Sequence, residues 1–285
     1  MAEHLGYLAP LQLDFVGTTF SGPTSIQNTA TGQTDFGWAF NGAILNLRAN
    51  KANVKAIISY YGEDDQTFNG YYVLDESPIK NPKDLIGKKI GMNTLGGQSE
   101  FIIKDYLQQN GLTDDEIKQI TLVVLPPANF EQALRQKQID VVTLSGISKE
   151  IALERGGIRS LFNDTDLYGP LSLGSYVVTE KFLKNNPNTT RKFVEGVAKA
   201  IEWSKTTPKE QIIKELEKII EKRGANESTA PLKYFKSFGV AGEGGVIAEQ
   251  EFEIWYNFLI KSGQLKEGDI DIKDVYTNEF NPYSK

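Results

Sequence analysis

A chain of 285 residues, 40% hydrophobic and 24% charged, is long enough to bury one large α/β unit or two lobes of roughly 100–150 residues each. Its 31 Lys and Arg against 37 Asp and Glu leave a net charge of −6, which disfavours phosphate backbones and anionic lipid as partners. With no cysteine and a single histidine, His4, the chain has no means for zinc clusters, Cys–His nucleophiles or redox pairs, and no apolar run approaches the ~18–20 residues of a spanning helix.

The first residues, Met1-Ala2-Glu3-His4, have neither the basic region nor the apolar segment of a signal peptide. Leu13 to Val16 reads as a strand, and Thr18-Thr19-Phe20-Ser21-Gly22-Pro23 as a polar turn opening a helix with Pro23 near its first turn. Ala30 to Gly42 then gives a helix end, Gln33-Thr34-Asp35, a buried strand over Phe36 to Ala39, and the small turn Phe40-Asn41-Gly42. The same succession recurs from Leu134 to Gly146, around Gln138-Ile139-Asp140 and the strand Val141 to Leu144, so one such unit is expected in each lobe. A strand over Ile57 to Tyr61 runs into Glu63-Asp64-Asp65, which lacks the alternating spacing of a calcium loop and reads as a solvated loop.

Gly70 to Ser77 and Gly174 to Lys181 are both β-rich and both begin with glycine. Between them lies a self-contained α/β pattern. A strand at Lys89 to Met92 precedes a helix from Ser99 to Asn110 that Gly111 stops. A strand from Thr121 to Leu125 ends at Pro126-Pro127, and a helix from Asn129 to Gln136 follows, capped by Asn129. We read the flanking pair as crossing strands that tie an inserted lobe, residues 76–178, to a discontinuous lobe of residues 1–75 and 179–285; the plainer alternative is two unrelated strands of one sheet. Beyond them, 188–204, 208–223 and 248–262 carry apolar residues at helical spacing, as core stripes do. Gly242-Glu243-Gly244-Gly245 follows no strand and is expected to be a loop, not a phosphate cradle.

Ligands of open α/β sheets sit beyond the carboxyl ends of strands, where loops feed helix N-termini. Four loops there are rich in small polar residues: one holds Ser21 and Gly22, one Asn41, one Thr94, Gly97, Gln98 and Ser99, and one Ser145. Such loops offer backbone N–H groups, hydroxyls and amides, although helix capping alone would explain any one of them. Phe40, Tyr60, Tyr61 and Tyr176 are candidates for an aromatic wall. Glu100, in the first turn of the helix after Gly96-Gly97, is either a partner for the helix dipole or an acceptor for a ligand amine or amidine.

Taken in order, Thr31 to Gly37, Ser77 to Gly91, Phe130 to Leu134 with Ile139 to Val142, and Tyr176 to Pro187 resemble the substrate-binding proteins of ABC importers for nitrate, sulfonates, taurine and thiamine-related pyrimidines, the NMT1/THI5-like group. The resemblance implies a type II periplasmic-binding-protein fold, two doubly wound α/β lobes joined by two crossover strands, with Ser21, Asn41, Gly97, Gln98, Ser99 and Ser145 at ligand-facing turns. It also implies a monomeric, extracytoplasmic receptor, periplasmic or lipid-anchored, that passes a small solute to permease and ATPase subunits without cofactor, metal or nucleic acid. The group begins with a strand and most of a helix ahead of the segment matching His4 to Tyr7, so the first lobe is expected to be incomplete or rearranged. Where sulfonate and nitrate binders often carry histidine, Glu100 stands, and Leu144-Ser145-Gly146 replaces a Trp-x-Pro turn, which leaves an oxyanion and an amino-pyrimidine-like heterocycle equally open. The alternatives are a ligand-sensing regulatory domain, which would need an output segment, and a pyrimidine-forming enzyme of the same fold, whose Cys- and His-dependent chemistry this composition does not serve.

Overall fold

A computed structural model describes residues 1–224 and 227–284. In chain order its elements are α1 (Gly22–Ala30), β1 (Gly37–Phe40), α2 (Asn41–Ala49), β2 (Val54–Glu63), β3 (Asn69–Leu74), β4 (Lys89–Met92), α3 (Gln98–Gln109), α4 (Asp114–Ile117), β5 (Thr121–Val124) and α5 (Phe130–Arg135). These are followed by β6 (Val141–Ser145), α6 (Gly146–Glu154), β7 (Ile158–Asn163), α7 (Asp164–Tyr168), β8 (Leu171–Thr179), α8 (Glu180–Asn185), α9 (Pro187–Thr206), α10 (Lys209–Arg223) and α11 (Gln250–Lys261).

The strands form two sheets. One is antiparallel with the order β1-β8-β2, and the other is mixed with the order β5-β4-β6-β3-β7, in which β4 runs parallel to both β5 and β6. Side chains alternate across a strand, so each sheet can feed two cores. In β8, Val177 packs toward the helices α2 and α11, with Ile44, Phe252 and Trp255, while Val178 packs toward α9, with Phe193 and Val194. In β3, Tyr71 faces α3 and Tyr72 faces α5, with Phe130 and Leu134. Helices thus cover both faces of both sheets.

The expected crossing strands turn out to belong wholly to one sheet each: β3 lies in the five-stranded sheet and β8 in the three-stranded one. The chain changes sheets ahead of each strand, at 64–68 and at 169–170, rather than near Leu74-Asp75 and Val178-Thr179. Both strands are buried along most of their length, which a free-standing linker would not be.

Two other expectations give way. Leu13 to Val16 forms no strand: Phe15 is 79% and Val16 69% exposed, and no strand among the described residues pairs with the segment. The free edge of β1 is instead covered by α1, whose Ser25 hydroxyl accepts a hydrogen bond from the Trp38 backbone N–H at 3.1 Å. Asn129 does not cap α5 through its side chain, since a short 3-10 turn over Pro127–Asn129 leads into that helix.

The long helices follow the local signals. Pro187 starts α9 at a position where its missing N–H is not needed, and Thr190, Phe193, Val194, Ala198 and Ile201 form its buried stripe. Gly224 ends α10 in the left-handed conformation, φ 64°. Phe101 of α3 meets Phe40, Trp255 and Phe258 at ring-centroid distances of 5.2, 6.3 and 5.2 Å, so the cores of the two sheets join on one side of the molecule.

Candidate ligand-binding site

A cavity of about 360 Å³ opens between the two sheets. From the first lobe, β1 contributes Trp38 and Phe40, two residues apart and therefore on one face of the strand. Consecutive residues of a regular strand point to opposite faces, yet Tyr60 and Tyr61 of β2 both line the cavity. Register shifts between Ser59 and Tyr61, and again before Gly62, allow this. Gly174 of β8 pairs with Phe40 on one side and Tyr61 on the other, and a Cβ there would collide with the Tyr61 ring. The missing side chain lets the two rings converge.

The second lobe supplies the polar half. The parallel strands β4 and β6 end at this face, and their loops bring Asn93, Thr94, Gly97, Gln98 and Ser99 from one, Ser145 and Ser148 from the other. Thr143 of β6 and Asn69 at the start of β3 complete that wall, with Phe130 beside them. Among the described residues, none of those lining the cavity is charged.

Of the residues expected from the sequence, Gly22, Phe40, Tyr61, Thr94, Gly97, Gln98, Ser99 and Ser145 line this cavity. Four do not. Asn41 is fully buried: its amide donates to the Glu251 carbonyl at 3.2 Å and its Oδ1 accepts from Ser175 at 2.8 Å, which bolts α2 to α11 and β8. Glu100 turns back on its own helix, where it accepts from the Gly96 N–H at 2.7 Å and pairs with Lys104. The dipole-partner reading of Glu100 is the one its geometry fits. Tyr176 stacks behind Tyr60 at 4.3 Å and buttresses the wall without lining it. Ser21 caps α1 and meets the Thr94 hydroxyl at 3.2 Å, from one lobe to the other.

Behind the polar wall lies a feature the sequence did not suggest. Glu63, read as part of a solvated acidic run, is 4% exposed, and Asp164 is 1% exposed. The Gln98 Nε2 donates to Glu63 Oε1 at 3.2 Å and to Asp164 Oδ2 at 3.3 Å, and the Asn69 backbone N–H donates to Asp164 Oδ1 at 3.0 Å. Glu63 and Asp164 also hydrogen-bond to each other, and Asn69 Nδ2 is buried without a partner among the described residues. Burial, and then the neighbouring Asp164 carboxylate, push the Glu63 carboxyl up to about 11, while burial raises Asp164 to about 6 against opposing hydrogen bonds. The two behave as one pair that holds a single proton at neutral pH. No cluster of three or more His, Cys, Asp or Glu side chains suited to a metal ion occurs among the described residues.

The lobes also touch at the rim. Asn93 donates to the Phe20 carbonyl at 2.9 Å beside the Ser21–Thr94 contact, and farther round Lys236 pairs with Glu150 at 2.9 Å while Tyr234 donates to Glu154.

The pattern of the family described as NMT1/THI5 like matches residues 1–211. The chain belongs to that family. A Brucella abortus protein described as a binding protein is 25% identical over 197 residues, 67% of this chain, and the chain spans 57% of that relative's length. The periplasmic nitrate-binding protein NrtA from Synechocystis superposes with a TM-score of 0.73 at 13% identity, over 98% of this chain and 82% of the other. The periplasmic aliphatic sulphonate binding protein SsuA from Escherichia coli gives 0.63 at 20% identity, over 93% of this chain and 82% of the other. The fold is that of the periplasmic binding proteins. No helix among the described residues is long and apolar enough to cross a membrane.

Proposed function

We propose that the chain is the solute-binding component of an ABC import system, which takes up a small molecule in the cavity between its lobes outside the cytoplasm and presents it to permease and ATPase subunits. One observation carries this reading: a cavity of about 360 Å³ whose two walls come from different sheets, one aromatic and one rich in hydroxyls and amides at strand ends. The nitrate-binding role of NrtA and the sulphonate-binding role of SsuA, and the family itself, support it. Binding is favoured over catalysis because the cavity lining offers no charged acid, base or activated nucleophile among the described residues. The single histidine is engaged elsewhere, with Glu215 at 2.7 Å.

Native mass spectrometry of freshly purified protein tests the proposal. A retained small molecule is expected, and Trp38→Ala should reduce its occupancy with the fold intact. Mass action predicts a matching rise in melting temperature when the molecule is added back, about 2.7 kcal/mol of stabilisation at a hundredfold excess over Kd. Protein that carries no small molecule, and whose melting temperature no metabolite extract moves, would count against solute binding.

A further inference from the structure

We propose that the solute bears a cationic nitrogen, an ammonium or amidinium group, seated against the carbonyl oxygen of Gln98 in front of the Glu63–Asp164 pair. This rests on the solute-binding reading and narrows it to a class of ligand.

Three observations point the same way. First, Gln98 lines the cavity while its Nε2 is spent on the two carboxyls, so the oxygen is the end of the amide left to a ligand. An oxygen accepts, and the group that fits it is a donor. Second, the two buried carboxyls behind Gln98, which share one proton between them, give this wall a net negative charge. A carboxylate in so dry a position is matched by a nearby positive charge or loses its ionisation. Third, the opposite wall is built of Trp38, Tyr60, Tyr61 and Phe40, whose ring faces attract a cation and disfavour an anion.

The positive groups nearby do not reverse this. Lys149 of α6 acts on Glu63, but its ammonium lies 3.1 Å above the Phe68 ring and 3.4 Å from Glu150. Lys104 is paired with Glu100. Tyr61 and Tyr71 face the pair as neutral phenols, held so by burial. At the helix termini, Ser21 caps α1 and the Glu100 carboxylate sits in the first turn of α3. The heads of α2 and α6 carry no side-chain cap, but the half charge of a helix terminus does not offset a full buried carboxylate. Asn69 lines the same wall, but its Nδ2 is buried out of a solute's reach and offers an anion no donor.

A cation at this position favours the doubly ionised pair. Binding should therefore release the shared proton, and affinity should climb as pH rises through neutrality. Calorimetry with benzamidinium, its neutral isostere benzamide, and benzenesulfonate, each in two buffers of different ionisation enthalpy, tests this directly. Benzamidinium is expected to bind about tenfold or more tightly than benzamide, with proton release, and benzenesulfonate to give no heat. The double variant Glu63→Gln, Asp164→Asn, which keeps shape and removes both carboxylates, should erase the preference for benzamidinium over benzamide. Tighter binding of benzenesulfonate than of benzamidinium, a preference that survives both substitutions, or no heat from benzamidinium would overturn the inference. If benzenesulfonate binds and Trp38→Ala abolishes it, solute binding stands and only the cation is wrong. If no probe binds and native mass spectrometry finds no retained molecule, both readings fall.

Discussion

Glu251 illustrates how a single side chain can be right for the fold and costly in charge. It is 2% exposed, it accepts from the Ser59 hydroxyl at 2.5 Å, and burial lifts its carboxyl to about 7. Together with Glu63 and Asp164 it makes the native state hold protons that the unfolded chain, with ordinary carboxyls, has already released. The sign follows from linkage: the stabilisation is complete below about pH 4 and is lost as pH rises, first through 6 to 7 for Asp164 and Glu251, then toward 11 for Glu63. The melting temperature should therefore fall between pH 5 and pH 9, and the double variant Glu63→Gln, Glu251→Gln should flatten that fall; parallel slopes for variant and wild type in thermal denaturation by circular dichroism would refute the assignment. Neither burial was legible in the sequence. Glu63 stands in a run of three acids, which looks solvated, and what buries it is contact with Gln98 and Asp164 from the other lobe. Asn41 misleads in the opposite way, since an amide in a turn after a strand suits a ligand as well as it suits the carbonyl of Glu251.

At the level of elements, the crossing of β8 between β1 and β2 is the place where sheet geometry shapes the cavity. Adding one methyl group at Gly174 should push Tyr61 off its position. Gly174→Ala is expected to cost about 1–3 kcal/mol, as overpacking does, and to weaken solute retention at the same time. Urea denaturation and native mass spectrometry would report the two effects, and unchanged retention at lowered stability would separate Tyr61 from the site. Elements whose signals are local were readable: β4 runs over the expected Lys89–Met92, and α3 stops before Gly111. Leu13 to Val16 fails because alternation states only that a segment can pair. A strand exists through its neighbour's hydrogen bonds, and the neighbouring edge is taken by α1. Trp38 and Thr143 reach the cavity from within strands, where alternation alone does not say which face meets a ligand.

On the scale of the whole molecule, the lobes meet in two ways. The Phe101 contact is apolar and large, whereas the rim contacts, Asn93 with Phe20 and Ser21 with Thr94, are single polar bonds near solvent. Such bonds contribute about 1 kcal/mol each, so opening should break the rim and keep the aromatic contact as its pivot. Replacing Ser21 and Asn93 together by Ala is expected to speed solute exchange about tenfold, read by stopped-flow mixing, and to cost about 1 kcal/mol of stability through the lost α1 cap. An unaltered exchange rate would show that opening starts elsewhere. The three tryptophans stand in different surroundings. Trp255 is sealed in the core and Trp203 sits on α9, which leaves Trp38 as the indole that meets an incoming solute. The protein thus carries a built-in fluorophore, and a shift in its emission colour would count occupied molecules with no label attached.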